Sequence, residues 1–178
     1  MKTAVEKTKK EIEMEEYIDI YNDNKEKIGI ISRKEEKELL EGQHILISAI
    51  IVRDNKNKIM MQLTSEEKGN ILSLPSGHVL HDEDSKNTII RELYEEQGIK
   101  VDKEKIIFVE ERLANKIAFF DIYYLNAHYN KSDMILQKEE VADVIWMSTE
   151  EIFRAYDNGM VRKSSVESIR NFLYNRKL

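Results

Sequence analysis

Several acidic side chains and one arginine lie close together in the segment between Gly77 and Ile99, which reads GHVLHDEDSKNTIIRELYEEQGI. The charged residues of interest are Glu83, Arg91, Glu92, Glu95 and Glu96. Glu92 is three residues from Glu95 and four residues from Glu96. On a helix these carboxylates are therefore neighbours on one surface and repel each other. Such a group of carboxylates needs water or a cation to stabilise it.

A short helix over residues 85–97 is expected to carry most of these acids. Asp84 or Ser85 can cap its start by accepting a backbone N–H hydrogen bond, and Gly98 suits the left-handed backbone that ends a helix. One arc of this helix is apolar and is expected to face the core: Ile89, Ile90, Leu93 and Tyr94. The glutamates lie on the other side, with Glu96 nearest the boundary.

The charge on this helix favours a bound cation. Glu95 and Glu96 lie in the last turn, where the helix dipole already disfavours negative charge. Arg91 can hold Glu95 through a forked pair of hydrogen bonds, but one arginine cannot neutralise all the acids. A hard divalent cation bound through carboxylate oxygens and water completes the compensation, with Mg²⁺ expected first and Mn²⁺ as the alternative.

An ordinary solvated acidic face is the other interpretation, because charged residues make up 35% of the chain. Glu35, Glu36 and Glu38 are expected to form such a face. The segment after Gly77 differs, because the turn Pro75-Ser76-Gly77-His78 leads toward the helix N-terminus, where backbone N–H groups can meet anionic oxygen. Phosphate and metal can therefore share one pocket.

This segment resembles the signature of the Nudix hydrolases: a glycine, five residues, a glutamate, seven residues, then Arg-Glu-apolar-x-Glu-Glu-x-Gly-apolar. The specified positions are all filled, by Gly77, Glu83, Arg91, Glu92, Leu93, Glu95, Glu96, Gly98 and Ile99. A chance match to so many positions is far rarer than to a lone glycine motif. The resemblance implies an α/β/α sandwich with a mixed central sheet, and hydrolysis of a diphosphate bond linked to a second group, X.

The resemblance also implies roles for the matched residues. Glu92 and Glu96 correspond to direct metal ligands, and Glu95 to a further ligand or a residue that takes part in activating water. Glu83 corresponds to a residue that supports or ligates a second metal, and Arg91 to one that orients the glutamates. The implied reaction is metal-assisted attack of water on phosphorus.

Three positions depart from the usual pattern of the family. Ser76 stands before Gly77 where a glycine is common, although its backbone carbonyl can still complete the implied coordination shell. Leu72 replaces a frequent tryptophan, and the arginine that is common at the end of the strand over 58–63 is absent. If the distal phosphate is contacted at all, a group elsewhere in the chain must contact it.

Residues 17–44 resemble the N-terminal part of Nudix proteins related to isopentenyl diphosphate isomerase. The isomerases use a catalytic cysteine, and this sequence contains none, so isomerase activity is not expected. His44 corresponds to a metal ligand in that subgroup. A histidine that opens an apolar strand is more often packed, however, and we expect His44 to be structural.

Residues outside the signature are expected to select the substrate. Glu139 or Glu140 is a candidate general base, because some Nudix groups use a downstream glutamate; the alternative is that both are surface acids. Lys68 and Arg112 are candidate phosphate contacts. The aromatic residues within 117–128 could stack on a base, but such residues in a strand more often belong to the core.

The chain of 178 residues fits one domain, which we place over 16–178 after a charged segment over 1–15 that is expected to fray or form a loose helix. Its net charge of -6 argues against binding of a nucleic-acid polymer. The absence of cysteine excludes a disulfide scaffold and a zinc-thiolate site. Neither a signal peptide nor a membrane-spanning run is evident, so a cytoplasmic protein without membrane contact is expected.

The remaining pattern predicts alternating strands and helices. Strands are expected over 17–21, 27–31, 44–53, 58–63, 106–113, 117–128 and 144–147. Ser148 to Glu151 forms a capping box that opens a helix ending near Asp157, and a last helix is expected over 165–176. The first two strands should form a hairpin, as should the third and fourth.

The expected function is Mg²⁺-dependent cleavage of a diphosphate linkage in a nucleoside diphosphate derivative or a related small phosphorylated substrate. The alternative is a catalytically silent module with the Nudix fold that senses a ligand or binds a protein. The sequence does not choose among ADP-ribose, nucleotide sugars, dinucleoside polyphosphates, oxidised nucleotides and coenzyme derivatives. Many members of the family dimerise, so the resemblance also admits a homodimer.

Overall fold

The computed structural model describes residues 15–114 and 116–175, and its main feature is a mixed β-sheet flanked by helices. The strands are β1 Tyr17–Tyr21, β2 Lys27–Ser32, β3 Ile45–Arg53, β4 Ile59–Thr64, β5 Leu72–Ser73, β6 Ser76–His78, β7 Ile107–Ala114, β8 Ala118–Asn126 and β9 Val141–Met147. The helices are α1 Ser85–Gln97, α2 Thr149–Asp157 and α3 Lys163–Asn175, and short 3₁₀ turns span Arg33–Glu38, Lys103–Lys105 and Lys131–Asp133.

The main sheet has the strand order β5-β4-β3-β8-β7, with β6 paired to β3 and β9 paired to β4. Strands β3 and β8 are parallel, whereas the other pairs are antiparallel. Strands β1 and β2 form a separate antiparallel hairpin, as expected. The mixed central sheet predicted from the sequence is therefore confirmed.

Alternate side chains of β3 enter two different cores, because successive residues of a strand point to opposite faces of the sheet. Ala49 and Ile51 pack with α2 and α3, where Ile169 and Phe172 are fully buried. Ile50 and Val52 pack on the other face with α1, against Ile89 and Leu93. Helices consequently cover both faces of the sheet.

The expected hairpin of β3 and β4 is present, but the two strands pair at Arg53 and Ile59 alone. Beyond this point β3 pairs with β6, and β4 pairs with β5 and β9. This exchange of partners brings the short strand β6, which contains Gly77, beside β3. It also places the end of β4 near the site described below.

Most predicted elements are confirmed to within a few residues, including α2 with both hydrogen bonds of its capping box. The expectation that Tyr94 faces the core is wrong, because 55% of this side chain is exposed and its ring lies under the Lys100 ammonium. The buried face of α1 is centred on Ile89 and Leu93 and includes Glu96 and Gln97 instead. Strands β5 and β6 were too short to predict.

The predicted N-terminal segment lies almost entirely outside the described residues, and the single domain over 16–178 stays a prediction. No helix within the described ranges is both long and apolar enough to cross a membrane.

Candidate active site

Helix α1 begins and ends where the sequence predicts. Asp84 is its N-cap, and the side chain of Asp84 accepts a hydrogen bond of 2.8 Å from the backbone N–H of Asn87. Gly98 ends the helix with a φ of 70°, and the next residue, Ile99, donates its backbone N–H to the carbonyl of Leu93. These local caps fix which residues of the signature are helical.

Arg91 is the centre of an ion-pair network with the signature acids. Its guanidinium donates two parallel hydrogen bonds of 3.0 Å to the carboxylate of Glu83. A third nitrogen, Nη1, contacts Glu92 at 2.9 Å and Glu95 at 3.0 Å. The forked pair predicted between Arg91 and Glu95 is therefore wrong: the fork holds Glu83, because that side chain approaches the guanidinium edge from the loop before α1.

Glu83 is stabilised in its charged form. Burial raises the pKa of Glu83, but hydrogen bonds from Arg91 and from the Thr88 hydroxyl, at 2.7 Å, outweigh burial and leave the pKa below its usual value. Glu83 does not line the cavity described below. In this structure Glu83 anchors Arg91.

Glu96 is in the opposite electrostatic situation. Only 9% of the residue is exposed, and burial together with the charges of Glu92 and Glu140 raises its pKa to about 8. Gln62 donates a hydrogen bond to this carboxylate, but no lysine, arginine or histidine of the described residues forms an ion pair with it. Burial also raises the pKa of Glu92, despite its contact with Arg91.

Gly77 is required by the closeness of Glu92. A Cβ atom added at Gly77 would lie 2.1 Å from Oε1 of Glu92 and 2.2 Å from its Cδ. Gly77 is paired with Ser48 in the sheet, so its position is fixed by β3. The glycine thus lets a partly buried carboxylate of α1 lie directly against β6.

A cavity of about 330 Å³ brings these residues together. Its lining includes the α1 residues Arg91, Glu92, Glu95 and Glu96, the β6 residues Ser76, Gly77 and His78, and Gln62, Thr64, Lys68, Gln137 and Glu140. Further lining residues are Glu16, Arg33, Ile47, Ser73, Phe120, Arg162 and Ser164. Most of the predicted site therefore surrounds one cleft.

The candidate residues outside the signature separate into two groups. Glu140 and Lys68 line the cavity and form an ion pair of 3.0 Å. Glu139 is exposed and does not line it; the backbone carbonyl of Glu139 accepts a hydrogen bond from Ser65. Arg112 is engaged elsewhere, with Glu167 at 3.0 Å and the carbonyl of Ser164 at 2.7 Å, and ties β7 to α3.

The aromatic residues of β8 mostly belong to the core. Phe119, Tyr123 and Tyr124 are buried, and Phe120 is the one aromatic residue of β8 that lines the cavity. His44 is also buried, with 2% exposed, and its Nε2 lies 2.8 Å from Asp23 while its ring packs edge-on against Phe119. His44 is therefore packed in the protein interior, as expected.

Arg33, Gln62, Gln137 and Arg162 line the cavity without having been predicted. They lie in four different parts of the chain, and no local pattern marks any of them. The missing arginine after β4 pointed to a basic group elsewhere in the chain, but it did not distinguish Arg162 from Arg33.

The donor set suits an oxygen-binding divalent cation, although the present side-chain arrangement is not a formed metal site. Within 15–114 and 116–175, no group of three or more His, Asp or Glu side chains could hold a metal ion as they stand. The reason is Arg91, which draws Glu83, Glu92 and Glu95 to itself. The buried carboxylate of Glu96, without a basic partner among the described residues, and the clearance at Gly77 nevertheless fit a cation bound by Glu92 and Glu96.

Comparison with known proteins agrees with this geometry. The family model of the NUDIX domain matches residues 43–170, which include the whole signature. The chain belongs to the Nudix family. An uncharacterized Nudix hydrolase of Listeria monocytogenes is 31% identical over 147 residues, which cover 78% of this chain and 83% of that protein.

Solved structures confirm the Nudix fold. The structure of DR0079 from Deinococcus radiodurans is similar with a TM-score of 0.76 and 18% identity, and the match covers 88% of this chain and 99% of that one. A MutT protein from Methanosarcina mazei is similar with a TM-score of 0.59 and 21% identity, covering 76% of this chain and 96% of that one. At these identities the likeness shows the fold.

Proposed function

We propose that this Nudix protein is a Mg²⁺-dependent pyrophosphohydrolase, with Mn²⁺ as an alternative metal, that cleaves a diphosphate linkage in a small phosphorylated substrate. The observation that carries the proposal is Glu96, a buried carboxylate with a raised pKa and no basic partner among the described residues. Burying such a group without compensation is costly, and an active site is where that cost is commonly retained.

Glu92 and Glu96 would hold the metal, with the Ser76 carbonyl and Glu95 as further oxygen ligands. These groups all line one cavity, and 50% of the Glu95 side chain is exposed, which leaves it free to turn. When bound, the metal would neutralise charge on the phosphate oxygens and lower the pKa of an attacking water.

The protein side chains would supply positioning and proton transfer. Arg91, anchored by Glu83, would keep Glu92 and Glu95 at the cavity in the absence of substrate, and each contact it gives up would free a carboxylate for binding. Glu140 is the better candidate for the general base, because it faces the cavity and Glu139 does not. The chain contains no cysteine, which is consistent with direct attack by water.

A panel of diphosphates in Mg²⁺, scored by which product carries the released phosphate, tests this proposal. The panel should contain ADP-ribose, nucleotide sugars, dinucleoside polyphosphates, oxidised nucleotides and coenzyme derivatives. Glu96→Gln should lower turnover of the best substrate by roughly 10²-fold to 10⁴-fold without loss of the fold. Glu104→Gln, at an exposed acid outside the cavity, should leave turnover unchanged.

Undiminished turnover in Glu96→Gln would overturn the proposal. Tight binding of a nucleotide sugar or ADP-ribose without hydrolysis, in either Mg²⁺ or Mn²⁺, would instead identify a ligand-sensing module with the Nudix fold.

A further inference from the structure

The basic side chains that line the cavity differ in whether an acid already holds them. Arg33 pairs with Glu16, Lys68 pairs with Glu140, and Arg91 pairs with Glu83, Glu92 and Glu95. Arg162 lines the same cavity, yet it has no ion-pair partner in the part of the chain that the structure describes. Arg162 is therefore the basic group most available to a ligand.

The backbone of Arg162 is fixed relative to the signature loop. Its N–H donates to the carbonyl of Leu72 at 2.8 Å, and the N–H of Leu72 donates to the carbonyl of Met160 at 2.9 Å. Two residues farther along, the N–H of Leu74 donates to the Ser165 hydroxyl at 3.0 Å. These bonds attach the start of α3 to the segment that leads directly into Ser76 and Gly77.

An exposed arginine needs no partner in water, so its exposure alone would mean little. The position of Arg162 is what distinguishes it: the residue borders a cleft rich in carboxylates, and it forms an ion pair with none of those that the structure describes. The guanidinium is planar and always charged, and it binds phosphate through two parallel hydrogen bonds. An uncharged sugar would offer Arg162 no comparable partner.

We propose that Arg162 binds a phosphate in the X part of the substrate. This inference rests on the proposed function and narrows its substrate class to compounds with three or more phosphates, such as nucleoside triphosphates and dinucleoside polyphosphates. Nucleotide sugars and ADP-ribose, in which the group beyond the diphosphate is uncharged, would be poorer substrates. Arg162 would thus replace the arginine that is absent after β4.

Kinetics of Arg162→Gln and Lys163→Gln test this assignment. Both changes remove one positive charge from adjacent exposed residues at the start of α3, but Lys163 does not line the cavity and faces Glu167 at 3.7 Å. Arg162→Gln should raise KM for a nucleoside triphosphate about tenfold to hundredfold while kcat stays within about threefold. It should leave kcat/KM for a nucleotide sugar unchanged, and Lys163→Gln should alter neither substrate.

Binding of inorganic polyphosphate separates this inference from the proposed function. By calorimetry in Mg²⁺, Arg162→Gln should weaken tripolyphosphate binding about tenfold or more and leave pyrophosphate binding unchanged. If a protein that hydrolyses nothing in the panel gives that result, the proposed hydrolase activity is refuted, whereas the phosphate site at Arg162 is supported. Equal losses for both polyphosphates, or no loss for either, would overturn the role of Arg162 even in an active enzyme.

Discussion

The cavity has two parts, one formed by α1 and the other by elements distant from α1 in sequence. They differ in how their charged side chains are paired. On α1, Arg91 binds several carboxylates, and Glu96 remains buried without a basic partner among the described residues. On the other part, Lys68 has an acid partner, and Arg162 has none within the described chain. One part is short of positive charge and the other is short of negative charge. A metal and a phosphorylated substrate together would supply what each part lacks.

The largest expected effect is on the free energy of unfolding of the metal-free protein, which tests whether α1 lacks positive charge. The folded-state pKa of Glu96, about 8, lies above its ordinary value of 4.5, so the folded protein is stabilised by protonation of this group. Above about pH 4.5 this carboxyl ionises in the unfolded chain but keeps its proton in the folded protein until about pH 8, so the free energy of unfolding falls across this range by up to about 5 kcal/mol. Glu96→Gln should therefore stabilise the metal-free protein relative to wild type at pH 9, and much less at pH 5.

Urea unfolding in EDTA at the two pH values measures this difference, with Glu104→Gln as the control. Added Mg²⁺ should then raise the free energy of unfolding of wild type and have a smaller effect on Glu96→Gln. A difference between wild type and Glu96→Gln that does not change with pH would show that the Glu96 charge is satisfied within the protein.

A second test displaces a carboxylate of α1 without removing it. In Gly77→Ala the new methyl group would overlap Oε1, Cδ and Cγ of Glu92, which can move aside because they form the flexible end of a side chain. We expect turnover to fall by about a hundredfold, because small displacements of catalytic groups are costly, while the melting temperature changes little. Turnover at saturating Mg²⁺ and thermal unfolding provide the two measurements.

Gly29→Ala is the matched control, since a Cβ at Gly29 would meet its nearest atom, Cδ1 of Ile20, at an ordinary 3.7 Å. Similar losses of turnover in both variants would mean that the close approach of Glu92 to Gly77 does not matter for catalysis.

The contrast between the two parts also explains what could be predicted from the sequence. The ends of α1 depend on local caps at Asp84 and Gly98, so the helix and its acids were predictable. Which acid takes the forked contact of Arg91 depends on how the preceding loop folds back, and spacing alone suggested Glu95 wrongly.

Residues on the other part of the cavity come together only through tertiary structure. Arg162 reaches the cleft because the start of α3 is hydrogen-bonded to β5, a contact between residues far apart in sequence. The exposure of Tyr94 also depends on tertiary contacts: α1 buries Glu96 and Gln97 beside Leu93, with Gln97 donating to Gln62 of β4 at 2.6 Å, and Tyr94 lies beyond this buried face. No periodicity in the sequence encodes either contact.

The smallest expected effect concerns Glu140. This residue connects the two parts of the cavity, because it pairs with Lys68 and its charge also raises the pKa of Glu96. Glu140→Gln should remove the candidate base but ease ionisation of Glu96, so the two consequences partly offset and turnover should fall only about tenfold. Glu139→Gln, one residue away and outside the cavity, should leave turnover unchanged. Initial rates across pH 6 to 9, a range that spans the raised pKa of Glu96, compare the variants. Equal rates for the two variants would show that Glu140 is not the base and would place the proton acceptor on α1. Glu95, the exposed signature carboxylate that lines the cleft, would then be the candidate.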